Sequence, residues 1–326
     1  MTGADAAVSL VIPGRNASAT VRQCLDAVVP LLGRGVEEII FVDDGSTDDT
    51  ARIVGEYPVR LIQGDGRGPG AARNLGWRAA RGELVWFIDS DCVAQPDALE
   101  RLMPHFNDPK VGGASGSYGN MRPDSLLACL IHEEVVARHR RMPRRVNFAA
   151  TFNVVYRRRV LEENNGFDER FLKGQDAEFS WRVLAAGYQL GFEVDSRVGH
   201  FHETRWLKYL RTQRRQGYWR VFLHLRHRGH SAGDSYSSLL DHVQPPLAML
   251  ALASLPLLAF GPTRWGPAIP FGLLALAQVP MAARLVQRAG QARFLLFAVM
   301  SFLRTFWRGV GMTLGALDAL RGGLKP

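Results

Sequence analysis

The sequence predicts an α/β protein: a Rossmann-like, mostly parallel sheet with helices on both faces, followed by C-terminal transmembrane helices. Three observations carry this. Short apolar, β-rich runs alternate with helical stretches through the first half. Polar clusters rich in Asp and Gly follow several of those runs, where an open α/β sheet receives its ligand. From Val243 onward, two charge-free lengths of roughly twenty residues are long enough to cross a bilayer.

Taken in order, Val8 to Ile12 and Glu38 to Val42 read as buried strands with a helix, Ser18 to Leu32, between them. Val59 to Ile62 is a third strand, Gly70 to Ala80 a helix, Leu84 to Ile88 a strand and Pro96 to Phe106 a helix. Past Phe106 the rhythm loosens. Gly112 to Asn120 is a Gly/Ser-rich strand or loop, Leu126 to Arg140 a helix and Phe148 to Tyr156 a strand. Ala177 to Ala186 is a helix closed by Gly187, and Gln189 to Val194 is extended. Trp206 to Arg228 reads as a long basic helix, since Arg205 to Arg228 holds eight Lys/Arg and no acid. The expected domains are residues 1–230, including an interfacial helix at about 204–228, and a membrane region, 243–326.

In that region, spans are expected at about 244–262 and 266–284, joined at Gly261-Pro262-Thr263-Arg264. Arginines cluster outside both ends, at Arg284, Arg288 and Arg293 for the second, so the outer ends are expected in the cytoplasm. A third apolar stretch, about 294–318, carries Arg304 and Arg308 near its middle, where charge in hydrocarbon is costly. An amphipathic or re-entrant helix is the better reading there.

Composition bounds the function. Across 326 residues, 47% hydrophobic and 22% charged excludes a disordered chain. A net charge of +9 favours an acidic partner, either anionic lipid, nucleic acid or a phosphorylated substrate. The basic groups at Arg138 to Arg145 and Arg157 to Arg159 lack interleaved aromatics or a known module, which argues against nucleic acid and leaves membrane lipids or a lipid phosphate. Cys24, Cys92 and Cys129 are too few and scattered for a disulfide framework or a zinc site. The start of the chain does not read as a signal peptide, and the expected location is the inner (plasma) membrane, multi-pass, with residues 1–230 in the cytoplasm.

Three motifs carry chemistry. Asp43-Asp44-Gly45-Ser46-Thr47-Asp48 is either a turn with a helix cap or a carboxylate pair for a nucleobase or ribose. Gly66 to Gly76 is a glycine-rich loop running into a helix with arginines at hand, matching neither a Walker loop nor a dinucleotide fingerprint. Asp89-Ser90-Asp91 ends an apolar strand, where two carboxylates can converge on a hard divalent cation with positions open for phosphate oxygens.

In this order and spacing the three motifs resemble the inverting family 2 glycosyltransferases with the GT-A fold. Val8 to Pro13 is similar to that family's opening strand and Asp89-Ser90-Asp91 to its DXD motif. Asn153 to Val160 with Gly166-Phe167-Asp168-Glu169 resembles its acceptor-side segment, and Gly174 to Arg182 its catalytic-base motif. The resemblance covers about residues 8–220. It implies a UDP- or GDP-sugar donor held by Pro13, Asp43, Asp44, Arg73 and Asp89, with Mg²⁺ or Mn²⁺ as cofactor. It also implies metal ligation by Asp91 and by His200 or His202, of which His200 is preferred, and Asp176 as general base. A helix start would favour the ionised form of Asp176.

Gln175 stands where the family commonly has Glu, and Glu178 is the fallback base. The Gln213-Arg214-Arg215-Gln216-Gly217 stretch lacks the QxxRW signature of processive synthases, so transfer of a single sugar is expected, and the membrane anchor points to a lipid-linked acceptor that receives it on a hydroxyl or phosphate. An inactive scaffold and a nucleotidyltransferase are the alternatives.

Overall fold

The computed structural model describes residues 6–227, 229 and 234–323. The expected boundary at residue 230 and the helix end at Arg228 lie outside the described residues. The chain divides into two compact units: Met1–Met121 with His139–Phe201, and Arg122–Arg138 with His202–Pro326.

The first unit is built on one sheet. Its strands are β1 (Val8–Gly14), β2 (Glu38–Asp43), β3 (Arg60–Gln63), β4 (Leu84–Ile88), β5 (Cys92–Ala94), β6 (Val111–Asn120), β7 (Arg145–Val146), β8 (Asn153–Arg157) and β9 (Gln189–His200). The order is β3-β2-β1-β4-β8-β6-β9-β5, with β7 also on β9. The half β3-β2-β1-β4 is all parallel, as the alternation with helices requires. Beyond it β8 runs antiparallel to both β4 and β6, and β5 and β7 antiparallel to β9, while β6 and β9 are parallel, so the sheet is mixed.

The helices of this unit are α1 (Val21–Val28), α2 (Thr50–Val54), α3 (Pro69–Ala79), α4 (Ala98–Leu102), α6 (Arg158–Glu163) and α7 (Gln175–Ala185), with α5 (Leu126–His139) between α4 and α6 in the chain. Along β4, Leu84, Trp86 and Ile88 enter one apolar cluster with α1, and Val85 and Phe87 enter another with Trp77 of α3 and Phe179 of α7. Both faces are therefore covered, which is why β4 shows no polar alternation. Gly76 lets α3 lie against β1 and β2: a Cβ there would meet Val11 and stand 3.2 Å from Val42 Cγ2.

The second unit is helical: most of α5, with α8 (Trp206–Arg226), α9 (Leu239–Ser254), α10 (Ala268–Ala289) and α11 (Leu296–Leu320). Three stretches, Leu239–Ala259, Gly261–Ala289 and Ala292–Leu320, are long and apolar enough to cross a membrane by length and composition. Helices α8 and α11 run parallel and close. Arg304 reaches Tyr209, Arg308 reaches Gln213 and Asp318 reaches Tyr218, while a Cβ on Gly315 would come within 2.6 Å of the Tyr218 carbonyl oxygen. The two arginines that argue against a third span face protein. Arg304 donates to Glu134 at 2.6 and 3.0 Å and to Ser301 at 2.9 Å; Arg308 donates to the amides of Gln213 and Gln216.

Candidate active site

The site assembles where β1, β2 and β4 end. Pro13 is buried near the end of β1, beside Val42. At the end of β2, buried Asp43 accepts hydrogen bonds from the amide of Ser46 (3.0 Å) and its hydroxyl, and Gly45 takes a φ of +73° that closes the turn. Asp44 reaches the glycine-rich loop, accepting from Gly68 N at 2.9 Å. Burial pushes the Asp44 carboxyl above its ordinary range, against the amides of Gly66, Arg67 and Gly68 and the charge of Arg15. The two aspartates therefore shape one rim: Asp43 fixes the turn and Asp44 fixes the loop opposite it.

Gly68 (φ +103°) then Pro69 start α3, with Pro at its first turn, where the missing N–H costs nothing. Four residues on, Arg73 is 3% exposed, and its Nη2 donates to Asp89 Oδ1 at 2.5 Å. It is thus tied to the DXD motif. On the other side of that motif, Asp91 Oδ2 lies 3.4 Å from His200 Nε2, and its side chain is 46% exposed. His200 ends β9, directly across from Cys92 of β5. Oxygen, nitrogen and open positions suit a hard divalent cation that also takes phosphate oxygens. His202 is buried in the second unit, its ring centroid 5.6 Å from that of His132, and the group formed by Asp91, Cys92 and His200 does not include it.

Gly174, left-handed at φ +81°, opens α7, and Asp176 follows in its first turn, where Ala177 N donates to Asp176 Oδ1 at 2.9 Å. The net effect on this carboxyl is upward. Burial is the largest cause and Asp89 adds to it, while Ala177 N–H and Arg73 oppose. Burial thus outweighs the helix start that favours ionisation. Arg73 and Asp89 act electrostatically on Asp176, so the Asp89-Ser90-Asp91 turn and the start of α7 share one field. The fallback base, Glu178, is fully buried and locked to Arg182 by bonds of 2.7 and 2.8 Å. It has a structural role.

Two residues lie inside motifs read from the sequence but had no role assigned there. Asn74 donates to Phe167 O (2.8 Å) and Glu169 Oε1 (2.9 Å), and accepts from Phe167 N (2.8 Å) and Trp77 Nε1 (3.0 Å). Arg182 donates to Gly166 O at 2.7 Å and to Asn164 O. Together they pin the segment 164–169 beside α3 and α7. We expect Asn74→Ala to destabilise the first unit by about 1–3 kcal/mol, because buried peptide groups of Phe167 lose their partners; chemical denaturation of both proteins checks this.

Residues 9–164 match the family model described as Glycosyl transferase family 2. That segment, residues 9–164, carries a family 2 glycosyltransferase domain. The domain's relatives include the pre-mycofactocin glycosyltransferase of Mycobacterium tuberculosis, 30% identical over 211 residues, which are 61% of this chain and 43% of that protein. Glycosyltransferase AglE of Haloferax volcanii is 29% identical over 60% of this chain and 67% of its own length. The chain thus matches less than half of the first relative. Among solved structures, the mannosyltransferase PcManGT from Pyrobaculum calidifontis, in complex with GDP-Man and Mn²⁺, superposes with a TM-score of 0.61 at 20% identity, covering 96% of this chain and 88% of that one. This likeness establishes the fold, the GT-A arrangement of the family 2 domain.

Proposed function

We propose that this glycosyltransferase moves one sugar, with inversion, from a UDP- or GDP-sugar to a hydroxyl or phosphate of a lipid-linked acceptor. The observation that carries the reading is the shared field of Asp89, Arg73 and Asp176, with the Asp91–His200 pair at the same DXD motif. The GDP-mannose and Mn²⁺ of the mannosyltransferase support the same donor and cofactor classes.

Asp91 and His200 would hold Mg²⁺ or Mn²⁺, which supplies Lewis-acid neutralisation of charge on the departing nucleoside diphosphate. The chain's own residues do the rest. The rim formed by Asp43, Asp44 and the glycine-rich loop receives the nucleoside, with Pro13 at its floor. Arg73 fixes the Asp89 carboxylate through one bond at 2.5 Å and keeps its charge balanced. Asp176 removes the proton of the acceptor hydroxyl as that oxygen attacks the anomeric carbon opposite the leaving group. A carboxyl raised above its ordinary range is a stronger base when ionised.

The sign of the pH dependence follows. Activity is lost as pH falls through the raised value of Asp176, so the acidic limb of kcat/KM is expected above the usual carboxylate range, about 3.9. A pH–rate profile checks it, and a limb at or below that range contradicts the assignment.

The apolar helices support attachment to the cytoplasmic face of the inner (plasma) membrane, where a lipid-linked acceptor is concentrated. We assign the anchor to the α9–α10 hairpin and lay α11 in the interface beside α8. The exposed side chains of α8 include Arg211, Arg214 and Arg215, and a helix packed along it could not enter hydrocarbon without drawing those charges in. Transfer assayed with a UDP- or GDP-sugar, Mn²⁺ and acceptor lipid in vesicles tests the reading, with faster transfer expected to the vesicle-borne acceptor than to a soluble analogue.

A further inference from the structure

The thiol of Cys92 has no part in the transfer reaction, yet it belongs to the same cluster. One ligand atom each from Asp91, Cys92 and His200 lie within 4.8 Å of one another. Cys92 Sγ is 3.9 Å from Asp91 Oδ1, and His200 Nε2 is 3.4 Å from Asp91 Oδ2. The cause is topological. Cys92 and His200 are directly opposed on antiparallel β5 and β9, which sends both side chains to one side of the sheet, and Asp91 immediately precedes β5. The turn is held by Cys92 N donating to Asp89 O at 2.9 Å and Phe201 N to Asp91 O at 3.2 Å. Cys92 is fully buried, so a cation reaches the sulfur from the partly exposed Asp91–His200 side.

We propose that Asp91, Cys92 and His200 form a mixed oxygen–sulfur–nitrogen site for a soft divalent cation, Zn²⁺ or Cd²⁺, which competes there with Mg²⁺ or Mn²⁺. Hard cations take oxygen and keep their waters, leaving the sulfur unused. A thiolate selects Zn²⁺ strongly, and ligand atoms around a tetrahedral zinc stand roughly 3–4 Å apart, as bond lengths of about 2.0–2.3 Å require. Small side-chain rotations therefore close this cluster on an ion. On binding, the sulfur–metal bond forms and the thiol proton passes to solvent. The sparse, scattered cysteines argue against a zinc site in the sequence, but the fold sets one of them, Cys92, beside Asp91 and His200. The inference goes beyond sugar transfer, because it concerns the protein with no donor bound.

The test is titration of the full-length protein in detergent with Co²⁺, the spectroscopic substitute for zinc, followed by competition with Zn²⁺. A thiolate-to-cobalt charge-transfer absorption is expected in the parent and in a Cys24→Ser/Cys129→Ser variant, whose one remaining cysteine is Cys92. Cys92→Ser should abolish the absorption and lower the preference for Zn²⁺ over Mn²⁺ by roughly tenfold or more. Absence of the absorption in the double variant overturns the proposal without relying on the folding of Cys92→Ser, as does an unchanged metal preference in Cys92→Ser. Failure of the transfer reading would show separately, as no sugar transfer by the Mn²⁺-loaded parent.

Discussion

Asp176→Asn is expected to lower kcat by about 10²- to 10⁴-fold, the contribution of a positioned general base, while the KM for the nucleotide sugar changes little. The split between the two constants matters. In the proposed mechanism Asp176 takes the acceptor's proton, whereas donor binding would lie with Asp43, Asp44, Asp89 and the cation. The amide keeps the size of the side chain and can still accept from Ala177 N, at 2.9 Å in the parent, so the start of α7 is retained. Glu178 does not rescue the variant, because it is fully buried and paired with Arg182. Gln175 beside the base also bears on the result. It removes a like charge from Asp176, and burial with the nearby Asp89 raises the carboxyl instead. Steady-state kinetics on the parent and variant give both constants.

Glu134→Gln is expected to destabilise the second unit by about 3–5 kcal/mol, the cost of breaking a buried ion pair by removing one partner. Glu134 accepts from Arg304 at 2.6 and 3.0 Å and from Arg138 at 2.8 and 3.2 Å, and Arg138 continues to Asp241 at 2.7 and 2.8 Å. A neutral amide leaves two guanidinium groups facing one another. Burial alone would raise the Glu134 carboxyl, but Arg304 and Arg138 overcome it and hold the group down to about 2. The sign is that of a depressed carboxyl. Its stabilisation is complete above the unfolded value, about 4.3, and is lost as pH falls towards 2. Thermal melts in detergent should therefore show an acid-dependent loss in the parent that is smaller in Glu134→Gln. Replacing both Glu134 and Arg304 by apolar residues should restore part of the stability, since the desolvation cost of the pair disappears with it.

Much of the first unit was legible because its signals are local. Leu84 to Ile88 is β4 residue for residue, and Glu38 to Val42 falls short of β2 by only Asp43, since a continuous apolar run bounded by Asp and Gly has few other solutions. The Asp89-Ser90-Asp91 turn stood out at the end of that run, whereas Gly174 to Arg182 was legible only through the family resemblance. Other elements depend on partners far away in the chain. β5, three residues long, exists because His200, Gly199 and Val198 pair with it. The extended reading of Gln189 to Val194 stops six residues short of β9, whose far end is set by β5 and β6. The helix expected over Ser18 to Leu32 is shorter, Val21–Val28, because Pro30 follows and the chain tightens into a 3₁₀ turn over Val29–Leu31. Side-chain pairing was the least visible level. Nothing in spacing alone sends Arg73 to Asp89, Glu178 to Arg182 or Arg304 to Glu134, because each choice is made by burial.

The central claim is that Asp91 and Asp176 serve one reaction, cation-assisted departure of a nucleoside diphosphate and base-assisted attack by the acceptor. Its most direct test is the identity of the products of the Mn²⁺-loaded full-length protein with a UDP- or GDP-sugar and acceptor lipid, compared with Asp91→Ala and Asp176→Asn. A free nucleoside diphosphate and a singly glycosylated acceptor of inverted anomeric configuration are expected from the parent, with both variants strongly impaired. Release of pyrophosphate, retained configuration, or parent-like turnover by either variant would contradict the account.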